Sequence, residues 1–492
     1  MPALDRHPCG KIAAWFFVLT FITEEIFIMN QKKWGFWILT MFVVGNMVGG
    51  GIFMLPANLS KVASPAGATL AWLLTGFGVL MIALVFGNLA VRKPELKAGP
   101  QSYAQAFFQS PKAGRIAGYA VAWGYWAANW AATASVIISF AGYMSTFFPI
   151  MTSEKIIWSI GSFNLELGKF LTFAVCSIML WGIQYILVQS FNSAGRLNLL
   201  ATVTKVIGFT LFIVATIFIF DSANFLNGKD FVAADGTTSS LLSQLNGAAI
   251  TTLWAFIGVE AAVMLSNRAK SQAVVKKATI TGLIIAVAIY VGITLLTMGA
   301  LSQGELQQSQ KPLVDALQAA IGTNGAYILA GLAVVSLFGS TVGWIVVSSE
   351  VPYQAARANL FPAIFAKTNK KGSPVFSLTI TNLLTQFFLF ATISGTIMEA
   401  YQFAMVVATL AYLIPYLVSV IYQLKLVITG ETYENSRRSR TLDTIITVLA
   451  LIYSLWVIKT GTADLMTFFL GIGLFILGLL LYPILMKKKT TK

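Results

Sequence analysis

Val44-Gly45-Asn46-Met47-Val48-Gly49-Gly50-Gly51-Ile52-Phe53-Met54-Leu55-Pro56 lies inside an apolar segment of bilayer-spanning length and sets three consecutive glycines near its middle. Glycine weakens a helix by roughly 1 kcal/mol per residue relative to alanine. In hydrocarbon no water takes up the N–H and C=O groups of an unwound turn, so other groups must. Two readings follow. Small residues at a helix interface let neighbouring backbones approach closely. Alternatively the helix is discontinuous, and discontinuous helices mark the binding sites of many transporters. The triplet alone does not choose between them.

Working outward, the 492 residues are 57% hydrophobic and only 10% charged, against about 25% charged in a soluble protein. This is the composition of an integral membrane protein. The apolar windows recur at helix length rather than as short alternating strands, which excludes an outer-membrane barrel. The net charge of +15 resides in the short connections between apolar segments, so it is read as topology signal and not as a nucleic-acid surface. Cys9 and Cys176 offer no disulfide framework, and Cys176 reads as a packing residue within a span. His7 is the only histidine and precedes the spans. No metal or other cofactor is called for, and proton chemistry in the membrane falls to Lys, Glu, Asp or Tyr.

Residues 1–28 form a short apolar stretch closed by Glu24 and Glu25, without a clear cleavage site, and are expected to be a dispensable extension. Met29-Asn30-Gln31-Lys32-Lys33 resembles a cytoplasmic start. Twelve spans follow, at about 35–59, 66–91, 114–147, 169–190, 197–219, 247–266, 278–302, 324–350, 375–394, 401–428, 441–458 and 464–486. The cations Lys32, Lys33, Arg92, Lys93, Lys97, Lys112, Arg115, Arg268, Lys270, Lys276, Lys277, Arg357, Lys367, Lys370, Lys371, Arg437, Arg438, Arg440 and Lys487 to Lys489 share one side. Asp221, Asp230, Asp235, Glu305, Asp315 and Asp464 share the other. The positive-inside rule then puts both termini in the cytoplasm of a plasma membrane, expected to be a bacterial inner membrane.

The sixth span contains Trp254-Ala255-Phe256-Ile257-Gly258-Val259-Glu260-Ala261, again a glycine and a polar group at mid-membrane, about 210 residues after the first triplet. Residues 35–219 and 247–428 read as two five-span units, and 441–486 as two further spans. An odd number of spans per unit inverts the second unit. Paired interruptions in inverted halves point to a substrate site at the repeat interface. The fold class expected is therefore all-α integral membrane, with about twelve transmembrane helices in a five-plus-five inverted repeat.

Two ionisable residues lie well inside spans: Lys205 in the fifth and Glu260 in the sixth. Each is costly in hydrocarbon and so faces protein or a water-filled cavity. Either can carry a proton; the plainer readings are a Lys snorkelling to the interface and a structural Glu bonded to backbone. Gly124-Tyr125-Trp126-Ala127-Ala128-Asn129-Trp130, Gly343-Trp344 and Trp254 supply aromatic faces suited to a cation, although a tryptophan in a membrane protein is more often an anchor or packing. Tyr103 reads as a gate or an interfacial tyrosine.

Gly45 to Leu59, Leu253-Trp254-Ala255-Phe256-Ile257-Gly258-Val259-Glu260, Gly339-Ser340-Thr341-Val342-Gly343-Trp344 and Leu360-Phe361-Pro362-Ala363-Ile364-Phe365-Ala366 resemble the basic amino acid/polyamine antiporters of the amino acid–polyamine–organocation superfamily. The resemblance runs through residues 34–486 and is nearest to the arginine/agmatine and arginine/ornithine exchangers. It implies the inverted-repeat fold with two extra C-terminal helices, and often a homodimer. It also implies that Val48, Gly49, Gly50 and Gly51 hold a substrate carboxylate through freed backbone N–H groups. Trp254 would cover the substrate side chain, Trp344 would shape the distal pocket, and Tyr125 would close the cytoplasmic side with Glu260 nearby. Asn46, Ala128, Asn129 and Thr133 align with pocket positions, Ala408 and Tyr416 with pocket or gate positions, and Tyr103 with a tyrosine implicated in pH sensing.

The chain departs from that pattern at three places. Gly50 stands where the arginine/agmatine exchangers carry serine, Thr133 where they carry asparagine, and Ala408 where they carry serine. Lys205 instead resembles a lysine of proton-coupled transporters in the same superfamily, where its ammonium replaces a sodium ion at the first/eighth-helix junction. The expectation is a cell-membrane exchanger of arginine or lysine against ornithine or a decarboxylated amine, working by alternating access. The alternative is proton-coupled uptake through Lys205. A polytopic membrane enzyme is the remote alternative; no cluster of acidic, His or Ser groups at one membrane face supports it. A channel lacks any ring of charge.

Overall fold

The computed structural model describes residues 35–486 apart from 97–98, 192, 227–238, 261–262, 264–268, 435–436 and 462–464. The proposed extension 1–28 lies outside the described residues, as do His7, Cys9, Lys32, Lys33, Lys97, Asp230, Asp235, Arg268, Asp464 and Lys487 to Lys489.

The expected first span is split. Helix α1, Phe36–Met47, ends before the triplet; a single 3-10 turn, Gly51–Phe53, follows, and helix α2, Leu55–Ser60, resumes with Pro56 in its first turn. Proline there removes a donor that a helix start leaves unpaired anyway. Helix α3, Pro65–Arg92, is capped by Ser64, whose Oγ accepts from the Gly67 amide at 3.1 Å. Helices α4, Pro100–Phe107, and α5, Pro111–Met144, come next. A two-stranded antiparallel hairpin, β1 Ile156–Ile160 and β2 Phe163–Glu166, turns at Gly161 with φ +57°. It leads into α6, Leu167–Gln189, and α7, Ser193–Ile217.

Helix α8, Leu241–Ala255, stops at the second glycine-bearing motif. Helices α9, Gln272–Ala300, and α10, Gln303–Gln308, precede α11, Pro312–Arg357. The last runs past both expected ends of the eighth span and is interrupted at Ile321 and Gly322, where Gly322 takes φ +77°. Helix α12, Val375–Leu389, with a one-turn continuation at Ala391–Ser394, precedes α13, Ile397–Thr429. Thr396 and Glu399 form a reciprocal capping box at the start of α13, and Gly430 ends it in the left-handed conformation. Helices α14, Arg437–Gly461, and α15, Leu465–Leu485, close the described chain.

Among the described residues, seven helices are long and apolar enough to cross a bilayer: α3, α6, α9, α11, α12 with its continuation, α13 and α14. Helix α9 packs against α1 and α3, and α3 against α8. Helix α5 packs against α13 and α11, and α11 against α7. The two breaks therefore fall where these two sets of helices face one another. Their outer turns are tied down locally. The Gln244 side chain of α8 accepts from both the amide (3.0 Å) and the hydroxyl (2.8 Å) of Ser64. The Gln303 and Gln307 side chains both donate to the last carbonyl of α2, Ser60 O, at 3.2 and 3.0 Å. At the opposite end, Asp443 of α14 binds Arg92 at 2.8 Å and accepts from Asn88 and Tyr433 at 2.8 Å each.

Candidate functional site

At the first break the chain leaves α1 with the Val48 amide bonded to Val44 O and the Gly49 amide to Met47 O, both at 2.7 Å. The amides of Gly50 and Gly51 then have no backbone acceptor among the described residues. These glycines are needed for space. A Cβ on Gly50 would stand 3.1–3.2 Å from Val136 of α5, and one on Gly51 would stand 2.8 Å from the indole nitrogen of Trp254. Two amides are thus left without a backbone partner in the turn that joins the two halves of the broken helix.

At the second break Gly258 takes φ +102°, a region that residues with a side chain rarely adopt. A Cβ there would lie 3.2 Å from Cβ of Asn46. The two broken helices thus meet directly, Gly258 against Asn46. The Glu260 carboxylate, 2% exposed, turns back on its own break. It accepts from the Gly258 amide at 3.2 Å, the Tyr416 hydroxyl at 2.5 Å and the Tyr125 hydroxyl at 2.8 Å. One carboxylate so joins α5, α13 and the second break.

Between the breaks is a small cavity lined by Asn46, Met47, Gly49, Gly50, Gly51, Val136, Trp254, Ala255, Ile257 and Trp344. The indole rings of Trp254 and Trp344 face each other across it, centroids 6.4 Å apart and planes 19° from parallel. Room for water-sized centres is about 10 Å³, roughly one water. A larger ligand requires these rings to part.

Among the residues picked out by sequence, Asn46, the three glycines, Trp254 and Trp344 share this lining. Val48, just past the end of α1, Ala128, Asn129 and Thr133 of α5 and Ala408 of α13 are buried but do not line it. Thr133 bonds to Asn129 O at 2.8 Å and to the Ser348 hydroxyl at 3.0 Å. Asn129 donates to Tyr125 O at 2.6 Å and keeps a buried Oδ1 without a partner. Tyr103 is fully buried and stacked on Tyr422 at 5.7 Å, with its hydroxyl unpartnered. Lys205 does not reach the interface: it is 4% exposed, and its ammonium donates to Gly45 O of α1 at 3.2 Å.

Sequence reasoning missed Tyr290 of α9. Its hydroxyl sits 2.5 Å from Met47 O and 2.6 Å from Ala255 O, the last carbonyls of α1 and α8. Its ring stacks on Trp72 of α3 with centroids 5.1 Å apart. The only sequence signal was a tyrosine inside an apolar span. Also missed was Tyr401 of α13, whose hydroxyl lies 3.0 Å from the indole N–H of Trp254.

Paired helix breaks in contact around an aromatic-walled cavity are the features of a membrane transporter. The chain belongs to the amino acid permease family, whose model matches residues 35–481, and it is a multi-pass membrane protein. It is 57% identical over 460 residues to a Bacillus subtilis (strain 168) protein named "Putative arginine/ornithine antiporter", covering 93% of this chain and 98% of that one. It is 32% identical over 429 residues to an arginine/ornithine antiporter of Pseudomonas aeruginosa, covering 86% and 85%. An arginine/agmatine antiporter of Chlamydia pneumoniae is 30% identical over 465 residues, covering 94% and 91%.

Proposed function

We propose that this protein exchanges cationic amino acids across the cell membrane, taking arginine, or lysine, against ornithine. The observation that carries the reading is that Gly50 and Gly51, whose amides have no backbone acceptor among the described residues, share one cavity with Trp254 and Trp344. Amides hold the carboxylate common to amino acids, and the indole faces suit a cationic side chain, each such contact contributing roughly 0.5–2 kcal/mol. The names of the relatives support arginine and ornithine as the pair.

The twelve-span, five-plus-five inverted arrangement, with both termini in the cytoplasm, is part of this proposal. So are the units 35–219, 247–428 and 441–486, and a homodimer. Residues 1–28 are proposed to be dispensable. In alternating access the two broken helices rock against α5 and α11, and Glu260 with Tyr125 and Tyr416 closes the cytoplasmic side. Asn129 Oδ1 and Thr133 become available when that gate opens, as do Ala128, Ala408 and Tyr103 at its margins.

Liposomes loaded with ornithine, lysine, agmatine, cadaverine or nothing, with labelled arginine outside, test the reading. Ornithine loading is expected to accelerate uptake severalfold over empty vesicles. No stimulation by any cationic load would defeat both the exchange mode and the substrate class.

Lys205 favours a second reading. A buried ammonium on the Gly45 carbonyl of α1 stands where a sodium ion would otherwise hold a broken helix, which suits proton-coupled uptake. That reading expects uptake to collapse with a protonophore and to need no internal amino acid. A Lys205→Ala protein still driven by a pH gradient would remove the lysine's coupling role.

A further inference from the structure

A buried charge cluster that neither break uses lies at the end of α3. Asp443 of α14, 6% exposed, accepts from two nitrogens of the Arg92 guanidinium, Nη2 at 2.8 Å and Nε at 3.0 Å. Its other donors are the Asn88 amide and the Tyr433 hydroxyl, each at 2.8 Å. Arg92 also donates to Thr432 O at 3.0 Å and lies over the Tyr433 ring, 3.6 Å from its centroid. The corner between α13 and α14 that receives this arginine is itself tied together. Gln423 of α13 donates to the Tyr433 hydroxyl at 2.9 Å. Arg440 of α14 donates to Val427 O and Ile428 O of α13 at 2.7 and 2.8 Å.

The cluster joins the two facing sets of helices. Asn88 and Arg92 belong to α3, which packs against α8 and α9, whereas the corner is built on α13, which packs against α5. Asn88 extends the tie to α9 by accepting from Lys276 at 2.6 Å. One side chain links the cluster to the second break. Phe86 of α3 packs edge-on against Tyr416, centroids 5.4 Å apart, and the Tyr416 hydroxyl donates to Glu260. Phe86 precedes Arg92 by six residues, about 9 Å along the helix. A buried guanidinium–carboxylate pair is costly to break from one side, because the partner left behind is an uncompensated charge. The neighbouring Lys93–Glu431 pair, with its glutamate exposed, is a weaker tie.

We propose that Arg92 and Asp443 are positioning residues of the gate: their pair fastens α3 to the α13–α14 corner, holds Tyr416 on Glu260, and parts when the cytoplasmic side opens. The inference rests on the alternating-access reading and the orientation above, and adds the device that sets the resting balance between the two faces. Loosening the pair raises the cytoplasm-open population. A ligand arriving from outside then meets fewer competent molecules, and its apparent affinity falls by that fraction.

The test compares the parent with Asp443→Asn, Arg92→Gln, the double variant and the milder Arg92→Lys, which keeps the charge but not the planar fork. Arginine affinity is measured from each face in liposomes of fixed protein orientation. Hydrogen exchange is followed in purified protein without ligand. Asp443→Asn is expected to weaken binding from outside roughly tenfold and to leave binding from the cytoplasmic face unchanged or tighter. Amides from Phe86 to Arg92 and from Tyr416 to Thr429 should exchange faster, those of α2 and α10 at the other end should not. The double variant is expected to match the single ones, since one pair is lost in each case. Arg92→Lys should shift the balance the same way by about threefold, and it keeps the test decisive if a stronger variant fails to fold.

Equal loss of affinity at both faces, or faster exchange at both ends, would make the cluster a structural staple and overturn the proposal. Additive effects in the double variant would overturn the pairing, and tighter binding from outside would overturn the sign. If ornithine loading fails to stimulate the parent, the exchange reading falls by itself, and the hydrogen exchange of the variants still decides the role of the pair.

Discussion

At the first break, between α1 and α2, the amides of Gly50 and Gly51 reach no backbone acceptor; at the second, beyond α8, the four successive amides are all taken. Phe256 donates to Leu253 O at 2.9 Å, Ile257 to Trp254 O and Val259 to Phe256 O at 3.2 Å each. Gly258 donates to the Glu260 carboxylate at 3.2 Å. An unwound turn in a membrane must satisfy its polar groups somewhere. The second break does so within the protein, and the first leaves donors over. On the proposed function, the difference divides the labour, with binding assigned to the first break and gating to the second. Their loose carbonyl ends, Met47 O and Ala255 O, share the Tyr290 hydroxyl, which ties the two tasks together.

The sharpest way to break this division is at Gly50. A leucine there drives its side chain into Val136, whose Cα is already 3.2 Å from a bare Cβ, and covers the amide cradle. Gly50→Leu is expected to abolish arginine uptake while the protein still inserts and purifies as folded material, which separates transport from folding. Transport surviving at near parental rate would return the triplet to a packing role.

A smaller effect should follow at the second break and show a different signature. Three donors converge on Glu260, and glutamine offers one oxygen where the carboxylate offers two. Glu260→Gln leaves a donor facing the new amide N–H₂, at a cost of about 1–3 kcal/mol. The expected result is a roughly tenfold slower exchange, with equilibrium arginine affinity changed by much less. If affinity falls as far as turnover, the two breaks are not divided in this way.

This division was only half legible in the chain. The triplet and Gly258 declared themselves because glycine in a bilayer-length apolar run is locally unfavourable for a helix. Such conflicts between propensity and environment are read from residues alone. Glu260 and Lys205 declared themselves through the cost of charge in hydrocarbon. Helix positions were also readable, since each expected span has helix within it; α11 was read too short because its first turns, from Pro312, carry Asp315 and Gln318 and are set off from the rest by the interruption at Ile321 and Gly322. Tyr290 and Tyr401 were not legible. A tyrosine in a span is ordinary, and what distinguishes these two is a partner on another helix, 243 positions away for Met47 and Tyr290 and 147 for Trp254 and Tyr401. Nor could the sequence tell that Thr133 is bonded to Ser348, because hydroxyl orientation is a tertiary fact.

Tyr290→Phe probes the link between the breaks. The ring can keep its stacking on Trp72, so only the hydroxyl is lost. Met47 O retains the Gly49 amide as a partner, but Ala255 O is then left without a backbone donor among the described residues. An unsatisfied buried carbonyl costs about 1–3 kcal/mol. Affinity and turnover should both fall, each by roughly threefold to tenfold, in contrast to the split expected for Glu260→Gln. A loss confined to one of the two parameters would assign Tyr290 to one break instead of both.

The mildest test concerns the cavity's two indoles. Tyr401→Phe removes the acceptor of the Trp254 N–H at 3.0 Å while retaining the ring of a fully buried residue. A neutral hydrogen bond of this kind contributes about 0.5–1.5 kcal/mol, so the expected change in arginine affinity is only a few-fold. Its direction carries the information. Freed from Tyr401, the Trp254 N–H becomes a further donor beside Gly51, 2.8 Å from the place of a Cβ there. If the first break recognises a carboxylate, that extra donor should weaken amines more than amino acids. Competition by the ornithine and putrescine pair against labelled arginine reads the ratio. A ratio shifted toward putrescine would mean that the Trp254 face meets the cationic end of the substrate.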